Sequence, residues 1–203
     1  MSQNEFDSIR KLLATKTVGI AGAGGLGSNC AMALARSGIG KMIVVDFDII
    51  NFSNLNRQYY FHNQLGKKKV LALKENVQLV YPEVNVLPLA VRLEAHHVTP
   101  IFKSCDVIVE ALDLKETKHL FIETALQELP HIPLVAASGM AGWGANNLLR
   151  TESIGNFHIC GDQETEVNDE LPPLAPRVGI VAMMQANLIL ELLLGKKEMG
   201  GSK

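Results

Sequence analysis

Gly22, Gly24, Gly25 and Gly27 follow the apolar run Val18 to Ala21, and a stretch that reads as helix runs from Leu26 to about Ser37. A second apolar run, Met42 to Val45, ends in Asp46. Glycines let a backbone turn sharply and lie close to a phosphate, and a helix start adds free N–H groups and the positive end of a dipole. Asp46, at the tip of a predicted strand, is placed to accept hydrogen bonds from ribose hydroxyls. The pattern predicts an adenine-nucleotide site. By itself it leaves open a redox dinucleotide or ATP.

The residues after Asp46 bear on that choice. A dehydrogenase would continue from the ribose acid into another helix and strand. Here FDIINFSNLNRQYYFHNQLGKKKV gives a polar loop with Asn54, Asn56, Arg57 and Gln58, then a helix start with Lys67, Lys68 and Lys69. A guanidinium and an ammonium beside a glycine-bound nucleotide suit a triphosphate. Further on, the predicted strand Val107 to Ala111 runs into Leu112 and Asp113. Ligands of open α/β sheets bind at the C-terminal edge of the strands, so a carboxylate there is placed to hold magnesium against a triphosphate. Two plainer readings stand beside these. Asp113 could cap the helix that begins at Glu116, and the lysines could be solvated.

The elements that must position these groups follow from periodicity. Helices are predicted at Glu5 to Ala14, Gly66 to Val80, Glu116 to Leu129 and Arg177 to Leu194, with a short piece from Glu94 to Phe102. Strands are predicted at Val84 to Leu89, Val107 to Ala111 and Pro133 to Ala137, and Gly139 to Thr151 reads as a Gly-rich turn with a strand. Residues Asn51 to Phe61 read as loop or single helical turns, and Asp162 to Pro176 as a long loop. The alternation predicts an α/β fold. In it a Rossmann-like, mostly parallel sheet carries helices on both faces, with a short N-terminal helix and a C-terminal antiparallel extension. One domain over 1–203 is expected.

Composition narrows the class. The chain is 47% apolar and 20% charged over 203 residues, enough to bury a full core. A formal charge of −2 gives no electrostatic reason to expect nucleic acid or an anionic membrane as partner. The first residues carry acids and only a short apolar run, and no later run was expected to cross a bilayer. Three dispersed cysteines, Cys30, Cys105 and Cys160, form no CxxC pair, so neither a zinc ribbon nor a disulfide framework is expected. Cys30 and Cys105 read as core and His96–His97 as surface. Trp143 reads equally well as core or as a border of the nucleotide or of a partner's tail. A cytoplasmic protein is expected.

GAGGLG, DFD, SNLNRQ, GKKK and EALD, in this order and spacing, resemble the ThiF, MoeB and HesA family, bacterial relatives of ubiquitin-activating enzymes. The resemblance covers Thr17 to Leu194. It implies adenylation of the C-terminal Gly-Gly carboxylate of a ubiquitin-like sulfur carrier with MgATP. The tail APRVGIVAMMQANLILELLLG and the short length resemble the compact ThiF-type branch of thiamine thiazole synthesis, whose carrier is ThiS. By this resemblance Gly22, Gly24, Gly25, Gly27 and Leu114 would line the nucleotide. Asp46 would hold the ribose, Asn54, Arg57 and Lys69 the phosphates, and Asp113 the magnesium. Arg10 would reach a partner subunit's phosphate site in a homodimer. The chain departs from the family in three ways. It lacks the zinc CxxC pairs, Leu114 and Lys118 stand where relatives have asparagine and arginine, and only Cys160 offers itself as the downstream cysteine. An NAD(P)-binding oxidoreductase, or adenylation of another carrier or substrate, is the alternative reading.

Overall fold

The computed structural model describes residues 3–195. After α1 (Gln3–Leu13), strand β1 (Thr17–Ala21), helix α2 (Gly25–Ser37) and strand β2 (Lys41–Val45) form the first βαβ unit. Single 3-10 turns at Phe52–Asn54 and His62–Gln64 lead to α3 (Lys69–Val80), β3 (Asn85–Leu89) and α4 (Ala95–Phe102). β4 (Val107–Glu110), α5 (Lys115–Glu128) and β5 (Leu134–Ala137) follow, then β6 (Arg150–Ile154), β7 (Phe157–Gly161) and α6 (Ala175–Leu194).

The seven strands form one sheet in the order β3-β2-β1-β4-β5-β7-β6, parallel except for the β6–β7 pair. Alternation of side chains along each strand splits the core into two layers. Val18, Ile20, Met42, Val44, Val107 and Val109 pack on the side of α2, α3 and α6. Ala21, Ile43, Val45, Ile108 and Leu134 pack on the side of α4 and α5. Because β1, β2, β4 and β5 are covered on both faces, their sequences are apolar except for Thr17, Lys41 and Glu110 at strand ends, as parallel strands require. Strand order reverses between β1 and β4. The registers Ala21↔Val45 and Ala21↔Glu110 bring the three strand ends level, so a crevice opens at their C-terminal edge.

Four features depart from the sequence reading. Gly66, at φ 79°, turns the chain, and Lys69 N–H bonds the Asp48 carbonyl at 3.0 Å, so α3 starts at Lys69 and not at Gly66. Pro176 lies in the first turn of α6 and does not end the loop before it. A proline fits there because that N–H has no helical partner. The strand expected within Gly139–Thr151 begins only at Arg150 and pairs with β7, which the sequence reading did not assign. Every residue of β6 is exposed, so RTESI carries no apolar alternation to betray it. Finally, α6 is long and apolar enough to cross a membrane by length and composition, contrary to the expectation that no run reaches that length. Here Val178, Val181, Ala182 and Ile189 are buried in the layer of α2 and the sheet, with Arg177 and Gln185 buried beside them. It serves as the core helix of this fold.

Candidate active site

A cavity of about 600 Å³ occupies the crevice. Its floor is the turn after β1. Gly22 has φ +99°, and a Cβ there would lie 2.4 Å from the Ala111 carbonyl oxygen, so only glycine allows the turn to approach β4. Gly24 is the N-cap of α2 and no side chain caps that helix, which leaves the N–H groups of its first turn for a ligand. Gly22, Gly24 and Gly25 line the cavity. Gly27 does not. It lies inside α2 with the Gly22 carbonyl against it, and its part is close packing of the helix on the turn.

Asp46 fixes this loop from β2. One carboxylate oxygen accepts the Ala23 N–H and the other the Asp48 N–H, each at 2.8 Å. Burial pushes the Asp46 pKa up, against the lowering effect of Lys69 and of those two N–H donors. A carboxylate has about four acceptor positions, so Asp46 keeps capacity for ribose hydroxyls. Tyr60 secures the loop from the other side, its hydroxyl donating to the Ala23 carbonyl at 2.7 Å.

Arg57 lines the cavity on a segment gripped by the first turn of α2. Ser28 Oγ accepts the Tyr59 N–H at 2.9 Å, and Asn29 Nδ2 donates to the Arg57 carbonyl at 2.9 Å. The Arg57 guanidinium donates to Asn56 Oδ1 at 2.7 Å. Asn54 lies off the cavity wall, and its Oδ1 accepts the Asn51 N–H at 2.9 Å, capping the 3-10 turn below Arg57. The three lysines separate cleanly. Lys67 pairs with Glu75 at 2.9 Å on the surface, and Lys68 donates to the Phe47 carbonyl. Lys69, 5% exposed, lines the cavity and pairs with Asp48 at 2.7 Å. The sequence reading places Asp48 in the DFD motif but does not pair it with Lys69, and it does not single out Ser28, Asn29 or Tyr60, because these bonds reach across 21 to 37 residues.

Asp113 and Leu114 stand on the opposite wall. Leu114, not Asp113, is the N-cap of α5, and no side chain caps that helix. Asp113 is exposed to the cavity and takes no hydrogen bond or ion pair from another described side chain. Among the described residues no three His, Cys, Asp or Glu side chains gather as a metal set. A magnesium ion commonly takes one or two carboxylates, with phosphate oxygens and water in its other positions, and Asp113 fits that pattern. Beneath it, Glu110 is fully buried and pairs with Lys118 at 2.6 Å. Burial pushes the Glu110 pKa up, and Lys118 opposes this.

Other candidates lie elsewhere. Arg10 stacks on Tyr81 at 4.7 Å from the ring centroid and borders Gly38, the C-cap of α2. The 13 residues of α2 span about 20 Å, so Arg10 sits that far from its own chain's cavity. Cys160 is fully buried beside Thr151, and burial raises its thiol pKa, which leaves it closed to a sulfur donor. Cys30 and Cys105 are buried core residues, and His96 is on the surface, as expected. Trp143 is 68% exposed and off the cavity wall, so it neither packs in the core nor lines the nucleotide cavity. The sequence reading also missed a buried pair at the rim. Arg177 donates to Asp162 and to the Gly144 carbonyl, tying α6 to two loops. Burial would raise the Asp162 pKa, but the Thr165 and Glu164 N–H groups, the Thr165 hydroxyl and Arg177 bring it down to about 2.

The ThiF family model matches residues 3–202. The chain is 30% identical over 192 residues to the adenylyltransferase and sulfurtransferase UBA4 of Saccharomyces cerevisiae, covering 91% of this chain and 43% of that protein. It is 30% identical over 190 residues to the adenylyltransferase and sulfurtransferase MOCS3 of Caenorhabditis briggsae, covering 90% and 47%. It thus spans less than half the length of these curated relatives. Among solved structures, the fold is similar to E. coli tRNA N6-threonylcarbamoyladenosine dehydratase, TcdA, in complex with ATP. The TM-score is 0.84 at 20% identity, over 96% of this chain and 92% of that one. E. coli MccB with ATP gives 0.69 at 20% identity, over 91% and 57%.

Proposed function

The chain belongs to the ThiF family, and from that premise we propose that it adenylates the C-terminal carboxylate of a ubiquitin-like carrier protein with MgATP. One observation carries this reading. Asp113, a carboxylate with no hydrogen-bond or ion-pair partner among the described residues, shares a cavity with the glycine loop, Arg57 and Lys69. Cations for phosphate beside a free hard-oxygen donor suit a metal-bound triphosphate better than a nicotinamide dinucleotide. The names of UBA4 and MOCS3 and the ATP complex of TcdA support it.

In the proposed reaction a carboxylate oxygen of the carrier attacks the α-phosphorus of ATP. An acyl-phosphate bond forms as the α–β phosphoanhydride bond breaks, and pyrophosphate leaves with the bonding electron pair. No protein nucleophile is needed. The α2 N-terminus and Asp46 orient the nucleotide, while Arg57 and Lys69 offset charge on the leaving pyrophosphate. Magnesium, when bound, would neutralise phosphate oxygens, and Asp113 would hold it. The partner we propose is a ThiS-like carrier of thiamine synthesis, and the working form a cytoplasmic homodimer.

ATP–pyrophosphate exchange tests the reading. It should require magnesium and a carrier ending in Gly-Gly, and Asp113→Ala should cost on the order of a hundredfold, about 2.7 kcal/mol of barrier. Calorimetry should show ATP binding with no useful affinity for NAD. Tight NAD binding, or exchange independent of any carrier, would overturn the proposal.

A further inference from the structure

At the end of β4 one buried ion pair reaches four pieces of chain. Glu110 Oε1 accepts the Leu112 N–H at 2.8 Å, which bends the chain directly into Asp113. The other Glu110 oxygen pairs with Lys118 at 2.6 Å. Lys118, from the first turn of α5, also donates to the Ala137 carbonyl at the end of β5, again at 2.6 Å. The Glu110 carbonyl in turn accepts from Gln185 of α6. Glu110 is 0% exposed, whereas Lys118 lies on the cavity wall. Leu112 also packs on the α4–α5 layer, but among the described residues no other side chain hydrogen-bonds the turn Leu112 to Leu114, since no side chain caps α5 and Asp113 takes no partner there.

An apolar pair in this place would hold the sheet to α5 as well, because buried ion pairs rarely add net stability over well-packed apolar groups. What an apolar pair could not do is accept the Leu112 N–H and so set the direction of Asp113. We infer that Glu110 and Lys118 are positioning residues that aim the Asp113 carboxylate at the metal ion of the bound nucleotide. This rests on the nucleotide reading above, with Asp113 as the metal ligand. The pair acts through Asp113, not on the substrate. Its loss should appear in metal affinity before it appears in nucleotide affinity.

Metal binding to the ATP complex tests this without any carrier or turnover. Mn2+ binding to the protein–ATP complex would be followed by electron paramagnetic resonance, and ATP binding in EDTA by calorimetry. Glu110→Gln, which keeps the shape of the side chain, and Lys118→Met should each weaken Mn2+ binding by about tenfold or more. ATP binding in EDTA should stay near the wild-type value in Glu110→Gln, because Glu110 does not line the cavity. Lys118→Arg should restore the metal affinity. In an Asp113→Ala background, Glu110→Gln should add nothing, because both changes remove one interaction. Equal weakening of Mn2+ in both backgrounds, or unchanged Mn2+ affinity in Glu110→Gln, would overturn the inference. Should Lys118→Met fail to fold, Glu110→Gln carries the test alone. If wild-type protein binds Mn2+–ATP through Asp113 yet shows no carrier-dependent exchange, the adenylation reading fails while this inference stands.

Discussion

Replacing Gly27 with alanine should destabilise the protein, although alanine is the better helix former. An added Cβ would sit 1.9 Å from the Gly22 carbonyl oxygen and 2.9 Å from its carbon. Both are backbone atoms of a turn that cannot swing aside, so the shorter gap must open to at least 3.0 Å by moving α2. Overpacking of this kind costs ~1–3 kcal/mol. The gain in helix propensity and chain entropy offsets roughly 0.5–1 kcal/mol. The net loss is up to about 2.5 kcal/mol, and Tm should fall by up to about 10 °C for a chain of this length. Gly179, inside α6, has nothing within 4 Å of the same added atom. Gly179→Ala should therefore raise Tm by about 1–4 °C through propensity alone. Calorimetric unfolding of the two variants side by side isolates the contact from the substitution. The shifted α2 also displaces the N–H groups at the cavity floor, so ATP affinity should drop by roughly tenfold in Gly27→Ala, as misplacement near 1 Å does. A Gly27→Ala protein as stable as Gly179→Ala, or one that binds ATP like wild type, would refute the close-approach argument.

Arg177→Met leaves Asp162 buried and unpaired, and urea unfolding should show a loss of about 3–5 kcal/mol, much of it recovered in Arg177→Met/Asp162→Asn. Because the folded-state pKa of Asp162 is held down to about 2, its contribution is complete above the ordinary carboxylate value near ~3.9 and is lost as pH falls from there toward 2. The acid limb of a Tm-versus-pH curve should accordingly flatten in Asp162→Asn. For the proposed homodimer, Arg10→Ala should bind carrier normally yet exchange pyrophosphate poorly. Mixing it with Asp113→Ala subunits should restore activity, because one site of the mixed dimer has neither lesion. If mixing rescues nothing, Arg10 is left with its stacking on Tyr81.

The glycine loop, the two-layer sheet and most helices were legible because each rests on a period of 2 or 3.6 residues, or on glycine punctuation within one stretch of chain. The C-terminal antiparallel extension was expected, and β6 and β7 form it, but the bounds of these strands were not legible, since an exposed edge strand such as RTESI has no apolar face to pattern it. Asp46 was recognisable from its place after Met42–Val45. That it also clamps the Ala23 N–H was not, because the bond spans 23 residues.

The sequence by itself determined the order of elements as far as β5, the phosphate-binding turn and the acid at the tip of β2, since local sterics and burial dictate all three. Tertiary structure decided which lysine of three enters the cavity, and it turned Asp113 from a possible helix cap into a cavity carboxylate unpaired among the described residues. It also closed Cys160 in the core and paired Glu110 with Lys118 and Arg177 with Asp162. A side chain's partner is set by which strands and helices lie side by side, and a charge must find that partner once burial removes water.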